Sequence, residues 1–226
     1  MLMTIETART RPLSVDTLLI PSLREGRKSQ TRCLSELENI NMEPDRWENH
    51  GIYPSTSGDG LYAWMKDRDG GRMITVKCPL GVVGDLLWIR ERWICPKQLG
   101  GTYVREKALY RADIATEAEA ERLARLHGGW HPAHTMPLAL ARIWQRITGL
   151  SVQRVQDISE KDAKAEGIAD AEGGLGYLHY TDPLVICNPI KSFSSFWQKT
   201  RPDSWERNEW VWVVAHESYE KGGEEL

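Results

Sequence analysis

Apolar positions along the chain fall into short clusters separated by polar or glycine-rich stretches, and the spacing inside each cluster predicts an element. Leu18, Leu19, Ile20 and Leu23 give one face of a short helix, with Asp16 or Ser14 as its cap and Pro21 in its first turn. Gly26 then stands where a left-handed residue ends such a helix. Residues 73–78 alternate as a strand. Residues 86–89 form a near-continuous apolar run that closes in Arg90, Glu91 and Arg92, which predicts a strand leaving the core at a rim. Thr116 with Glu119 matches a capping box, and Gly128-Gly129 ends the mostly charged, peripheral helix it starts. Residues 136–148 read as a helical turn leading into a strand that Gly149 breaks, with 150–155 as its partner strand. Ser159 caps a short helix closed by Gly167. Residues 189–199 form a helix with Phe193, Phe196 and Trp197 on its buried stripe, and 209–216 form a strongly β-prone, central strand.

Between these elements, 33–71 is polar and punctuated by Pro44, Pro54 and a Ser-Thr-Ser-Gly-Asp-Gly run at 55–60. It reads as a long excursion in which 61–65 supply one short anchoring strand, and 95–135 is a second excursion. The first twelve residues read as a lead-in and 219–226 as a charged tail. The pattern as a whole predicts a single α+β domain over 1–226.

Composition narrows the options. The formal charge of −3 over 226 residues excludes a strongly basic surface, so any nucleic-acid contact must come from a local patch. Four widely spaced cysteines with no Cys-x-x-Cys pair point to reduced thiols and a cytoplasmic setting. No apolar run approaches the roughly 18 residues of a membrane span, so no membrane partner is expected. Ten tryptophans against two phenylalanines serve mainly to pack a core, with base stacking as the other use of so many flat faces.

Candidate chemistry concentrates in 23–32, where Arg24, Arg27, Lys28 and Arg32 crowd around one glycine beside the hydroxyls of Ser29 and Thr31. Glu166 falls in the last turn of its short helix, where the dipole disfavours an anion, so solvation or a specific partner must offset it. Arg90 and Glu91 either reach a cavity mouth or pair with each other at the strand end. His127, His131 and His134 lie close together, but Pro132 spoils a helical presentation and no further ligand follows at zinc spacing, so no metal is expected. The glycines at 173, 174 and 176 lack the strand-to-helix setting and the Lys-Ser or Lys-Thr of a phosphate loop.

Five stretches taken together carry a resemblance. They are Glu25-Gly-Arg-Lys-Ser-Gln-Thr-Arg32, Gly84-Asp-Leu-Leu-Trp-Ile-Arg-Glu91, Ala141-Arg-Ile143, Val155-Gln-Asp-Ile-Ser-Glu-Lys-Asp-Ala-Lys-Ala-Glu-Gly-Ile168 and Trp210-Val-Trp-Val-Val214. In order and content the chain resembles the ASCH-domain family of the PUA-like superfamily, in the long form seen in phage and prophage proteins. The resemblance implies a mixed β-barrel flanked by short helices, with long loop insertions and a basic cleft beneath the first helix. It also implies binding of RNA or of a nucleobase or nucleoside, including modified ones. One enzymatic subgroup removes acyl groups from N4-acylcytidine with a lysine, a threonine and a glutamate, which fall by motif position on Lys28, Thr31 and Glu166. The general signature carries Glu where Thr31 stands and closes in Arg where this chain has Cys33.

Amide hydrolysis by these three residues needs no metal or cofactor. Lys28, if partly neutral through burial and the neighbouring Arg27 and Arg32, would activate the Thr31 hydroxyl. Glu166 would hold the lysine, position water or protonate the leaving nitrogen. A protein that only binds would use the same groups otherwise, with Arg27, Lys28, Arg32 and Arg142 on phosphates and an aromatic ring on a base. Arg90 and Glu91 join Arg27, Arg32 and Arg142 as expected substrate contacts. A third class, a phage structural or interaction protein, would use the polar excursions as contact surfaces.

Overall fold

A strand buried on both faces shows no alternation, because both sets of its side chains are in a core. The last apolar run of the chain is such a strand. In the computed structural model, which describes residues 8–95, 105–171 and 174–220, β12 (Trp210–Ser218) buries five consecutive residues from Trp210 to Val214. Trp210, Trp212 and Val214 join the largest apolar cluster, whereas Val211 and Val213 join a second cluster on the opposite face.

β12 lies inside a five-stranded sheet in the order β1 (Thr10–Ser14), β6 (Leu86–Arg90), β9 (Trp144–Arg154), β12, β2 (Gln30–Cys33). Only β1 and β6 run parallel. β9 is one strand, not the two that Gly149 suggested. Ala215 pairs with Gly149 and His216 with Ile147, so Thr148 is the extra residue of a bulge and the ladder continues past it.

The α+β class holds, but the sheet is not the closed barrel the resemblance implied. Among the described residues no ladder joins the edge strands β1 and β2. Leu13 and Ser14 from one edge and Thr31, Arg32 and Cys33 from the other instead line a common cavity, and their side chains occupy the gap where closure would have run.

The first excursion is not a loop with a single strand. It folds as an antiparallel three-stranded sheet of β3 (Trp47–Pro54), β4 (Leu61–Asp67) and β5 (Met73–Lys77). Trp47, Ala63 and Met65, with Leu37 and Ile40 before them, are buried in the same cluster as Leu87, Ile89 and Trp212. β3 escaped the sequence reading because most of its residues are exposed and the strand is largely polar, which leaves no apolar alternation to see.

After β6 the chain breaks at Glu91-Arg92 and re-enters a third apolar cluster through β7 (Trp93–Ile94), which pairs with β8 (Leu109–Tyr110). The capped helix α2 (Glu117–His127) begins at Thr116, ends at Gly128 with φ 83°, and buries only Ala120 and Leu123, as a peripheral helix should. His131 packs its ring on Trp93, with centroids 4.5 Å apart. Three further helices flank the sheet: α1 (Ile20–Arg24), α3 (Glu160–Ala165) capped by Ser159, and α4 (Pro189–Thr200) capped by Asn188. α4 presents Phe193, Phe196 and Trp197 inward, and a small hairpin of β10 (Tyr177–Leu178) and β11 (Val185–Ile186) precedes it.

The start of the lead-in (1–7), residues 96–104 of the second excursion, Glu172 and Gly173 of the glycine-rich loop, and the tail from 221 onward lie outside the described residues. Among the described residues no helix is long and apolar enough to cross a membrane.

Because Met65 is fully buried in the main cluster, Met65→Ala should cost about 2–5 kcal/mol of global stability. Urea denaturation followed by tryptophan fluorescence should show one transition moved to lower denaturant. A mutant with an unchanged main transition and only local loss would mean the three-stranded sheet is a detachable insertion.

Candidate functional site

Two glycine turns face each other and build the site. α1 closes through Glu25 onto Gly26, whose φ of 74° reverses the chain and lets the Lys28 amide bond Ser22 O at 2.9 Å. α3 closes through Glu166 onto Gly167, with φ 82°. A Cβ on Gly167 would lie 2.4 Å from Ser22 Oγ and 2.7 Å from Lys28 Cβ, so only glycine permits the approach. Ser29 N bonds Ala165 O at 2.8 Å and ties the two turns together.

That approach puts Lys28 on Glu166. Lys28 Nζ donates to Glu166 Oε2 at 2.9 Å, to Glu166 O at 2.9 Å and to Gln30 O at 2.6 Å. Three acceptors match the three N–H bonds of an ammonium. Arg32 Nη1 donates to the other carboxylate oxygen, Oε1, at 2.8 Å. All three side chains are buried, and the Arg32 guanidinium lies over the Phe193 ring, 5.6 Å from its centroid. The anion at a helix C-terminus is thus explained by two cations, not by solvation. Burial pushes the Lys28 pKa below its ordinary value, and the Glu166 carboxylate opposes that shift.

Thr31 has a partner that sequence reasoning missed. Its Oγ1 lies 3.1 Å from His216 Nε2, and His216 Nδ1 lies 3.1 Å from Gln145 Oε1. With the Gln145 oxygen accepting from Nδ1–H, Nε2 is left as the acceptor for the Thr31 hydroxyl. Burial, reinforced by the Lys28 charge, pushes the His216 pKa down to about 3, so the ring is neutral near pH 7. The one signal in the sequence was a polar residue at the end of an apolar strand, and nothing local linked it to position 31, which lies 185 residues earlier.

Lys28, Thr31, Arg32 and Glu166 line one cavity of about 370 Å³, floored by Phe193 and Phe196. The other expected contacts are elsewhere. Arg27 is exposed and pairs with Glu25 at 2.6 Å. Arg142 clasps the buried Glu91 through two bonds, 2.8 and 2.7 Å, and also bonds Asp113, while its guanidinium lies over Tyr110. Arg90 donates to His134 O at 2.9 Å. None of Arg27, Arg90, Glu91 or Arg142 lines this cavity, because the Glu91–Arg142 pair is used to join the end of β6 to the turn carrying Asp113. Arg92 and Arg201 line it instead.

Among the described residues no group of three or more His, Cys, Asp or Glu is placed to hold a metal ion. Comparison with known proteins gives no match to a family model, a curated protein or a solved structure. The chemistry of the cavity must therefore be argued from its own geometry.

Two outcomes follow for stability. Gly167→Ala should destabilise the fold by about 1–3 kcal/mol, read by denaturant melting, since it combines a positive φ with two close contacts. For His216, the unfolded chain takes up a proton below about pH 6.5 while the native ring stays neutral down to about 3. Its contribution is complete above pH 6.5 and is lost on acidification at up to about 1.4 kcal/mol per pH unit. Melting of the wild type and of His216→Gln between pH 7 and 4 should show the stability gap between them shrinking as pH falls; parallel curves would mean that the ring is protonated in the native state.

Proposed function

We propose that the cavity lined by Lys28, Thr31 and Glu166 recognises a nucleobase or nucleoside, free or in RNA, and that the chain is an ASCH-type member of the PUA-like superfamily with its barrel left open at this cavity. The observation that carries the reading is convergence. Lys28 and Thr31 from one motif stretch and Glu166 from another, distant in the chain, line one cavity. At about 370 Å³ the cavity is near the lower end of the roughly 300–1,000 Å³ of small-molecule sites, which suits one base with its sugar better than a folded RNA. Phe196 offers apolar surface to a ring, and the Glu166 and Thr31 side chains offer polar atoms to its edge.

A second reading, hydrolysis of an N4-acylcytidine-type amide, is favoured by the Thr31–His216 contact. In it the Thr31 oxygen bonds to the acyl carbon, the carbon–nitrogen bond breaks, and the exocyclic nitrogen leaves as the amine carrying the proton that the hydroxyl gave up. Water then cleaves the Thr31 ester, releases the acid and restores the hydroxyl. His216 Nε2 accepts the hydroxyl proton's hydrogen bond and so turns the oxygen lone pairs away from itself. Lys28, with its three N–H bonds taken, serves as fixed positive charge for the developing oxyanion and not as the base expected from sequence.

Incubation with N4-acetylcytidine, with release of cytidine followed by chromatography, tests both readings when paired with binding measurements. Wild type should bind the nucleoside, and in the hydrolytic reading it should turn it over. Thr31→Val should then lose turnover by about 100-fold or more while still binding, and Lys28→Ala should lose both. Binding without turnover leaves recognition alone. A wild type that neither binds nor cleaves acylated or free nucleosides would remove the nucleoside reading.

A further inference from the structure

The residue that follows α4, Arg201, carries a charge that meets no counterion in contact among the described residues. Arg201 lines the cavity described above and also a second one of about 320 Å³, which it shares with Asn41, Ser204, Arg207 and the carboxylates Glu38 and Glu209. Among the described residues, no carboxylate lies within ion-pair distance of it. Its hydrogen bond is a single one, from Nη1 to Thr200 Oγ1 at 3.0 Å, although a guanidinium has five N–H donors.

Several buried or partly buried arginines carry carboxylate partners: Arg32 has Glu166, Arg142 has Glu91 and Asp113, and Arg154 has Asp45, whereas Arg90, like Arg201, has none among the described residues. Two features do favour a cation at Arg201: it stands at the C-terminal end of α4, and its Cζ lies 4.4 Å from the centroid of the Trp197 ring. Both act on the charge as a whole, and neither occupies the N–H fork. Burial disfavours the charged form while the Glu166 and Asp16 carboxylates favour it from beyond contact distance, and the N–H groups of Arg201 that lack a protein partner stay open to solvent, where an anion can reach them.

The surroundings have the same sign. Lys28, Arg32, Arg92 and Arg201 line the first cavity against Asp16 and Glu166, and this surplus of positive charge sits in a chain of net charge −3. Lys28 has spent its donors, and the Nε and Nη2 atoms of Arg32 are sealed from solvent without partners. Arg201, turned to both cavities, is placed to grip an entering oxyanion with two parallel N–H bonds.

We infer that Arg201 holds the phosphate of a nucleoside monophosphate whose base occupies the cavity at Lys28, Thr31 and Glu166. The inference rests on the nucleobase reading for its base and on the unpaired guanidinium for its phosphate, and the two can fail separately. The phosphate lies against Arg201 on the side of the first cavity, whose cations outnumber its carboxylates, because Glu38 and Glu209 line the second.

Calorimetric titration of the whole chain with cytidine, cytidine 5′-monophosphate, inorganic phosphate and a short single-stranded RNA tests it, using wild type, Arg201→Gln and Arg201→Lys. The monophosphate should bind wild type about tenfold or more tightly than cytidine, with the advantage falling as salt rises. Arg201→Gln should abolish the advantage, and Arg201→Lys, which keeps the charge without the fork, should retain part of it with an unchanged melting temperature. Equal affinity for cytidine and its monophosphate would overturn the phosphate site and leave the base site standing. Arg201-dependent binding of inorganic phosphate, with no gain from an attached nucleoside, would keep the anion site and remove the base. Binding of the RNA but not of the monophosphate would replace the mononucleotide by a strand, and an Arg201→Lys protein that keeps the full advantage would show that the fork plays no part.

Discussion

A carboxylate buried between two cations is the constraint around which this molecule is arranged. Taking Glu166, Lys28 and Arg32 out of water carries a desolvation cost of several kcal/mol per ion, which is offset only when the partners meet in good geometry with their remaining hydrogen bonds made. Meeting that condition fixes much else. Lys28 must also cap the last carbonyls at the end of α3, which it does through Glu166 O, and Gln30 must present its carbonyl inward and its side chain to Asp162. Gly26 and Gly167 must adopt positive φ for the two turns to touch. A triad of this kind adds little net stability but tolerates only one arrangement of α1, β2 and α3.

The same triad explains why the sheet is open. β2 is anchored on one side by its ladder to β12 and on the other by Arg32 and Lys28 reaching under α1, so its outer edge faces a cavity instead of β1. The cavity is therefore bounded by two sheet edges, the charged triad and the aromatic face of α4. Its polar groups differ in availability. Lys28 and Arg32 are committed to Glu166, Thr31 is held by His216, and Arg201 retains most of its donors. The proposed function uses that division: the committed groups would supply a fixed field, the hydroxyl an oriented oxygen, and the guanidinium of Arg201 a place for an anion.

Arginine placement shows how the remainder of the charge is used. Arg142 looked like a contact for substrate, and it stitches instead, joining Glu91 at the end of β6 to Asp113 in a neighbouring turn while covering Tyr110. Arg154 and Arg46 do similar work around the three-stranded sheet through Asp45 and Asp67. Arg142 is held in such pairs and Arg90 by the His134 carbonyl, both away from the cavity, which Arg92 and Arg201 line instead.

Several features were legible from the chain alone because they depend on neighbours in sequence. Caps at Asp16, Thr116 and Ser159, the left-handed glycines after α1, α2 and α3, the buried stripe of α4 and the apolar run of β12 each need only a few adjacent residues. The basic turn at 23–32 and the misplaced anion at Glu166 were visible for the same reason, one as a crowd of charge and the other as a conflict with a helix dipole. What the tertiary structure alone decided are contacts between residues far apart in the chain. β3 is polar because it packs by one face only, so its membership of the core appears once β4 lies beside it. His216 becomes a partner of Thr31 only because β12 runs antiparallel to β2, and Arg201 keeps its donors only because the end of α4 meets a cavity whose Glu166 is already taken by Lys28 and Arg32. Local sequence sets which groups a segment offers; which of them remain free is set by what packs against them.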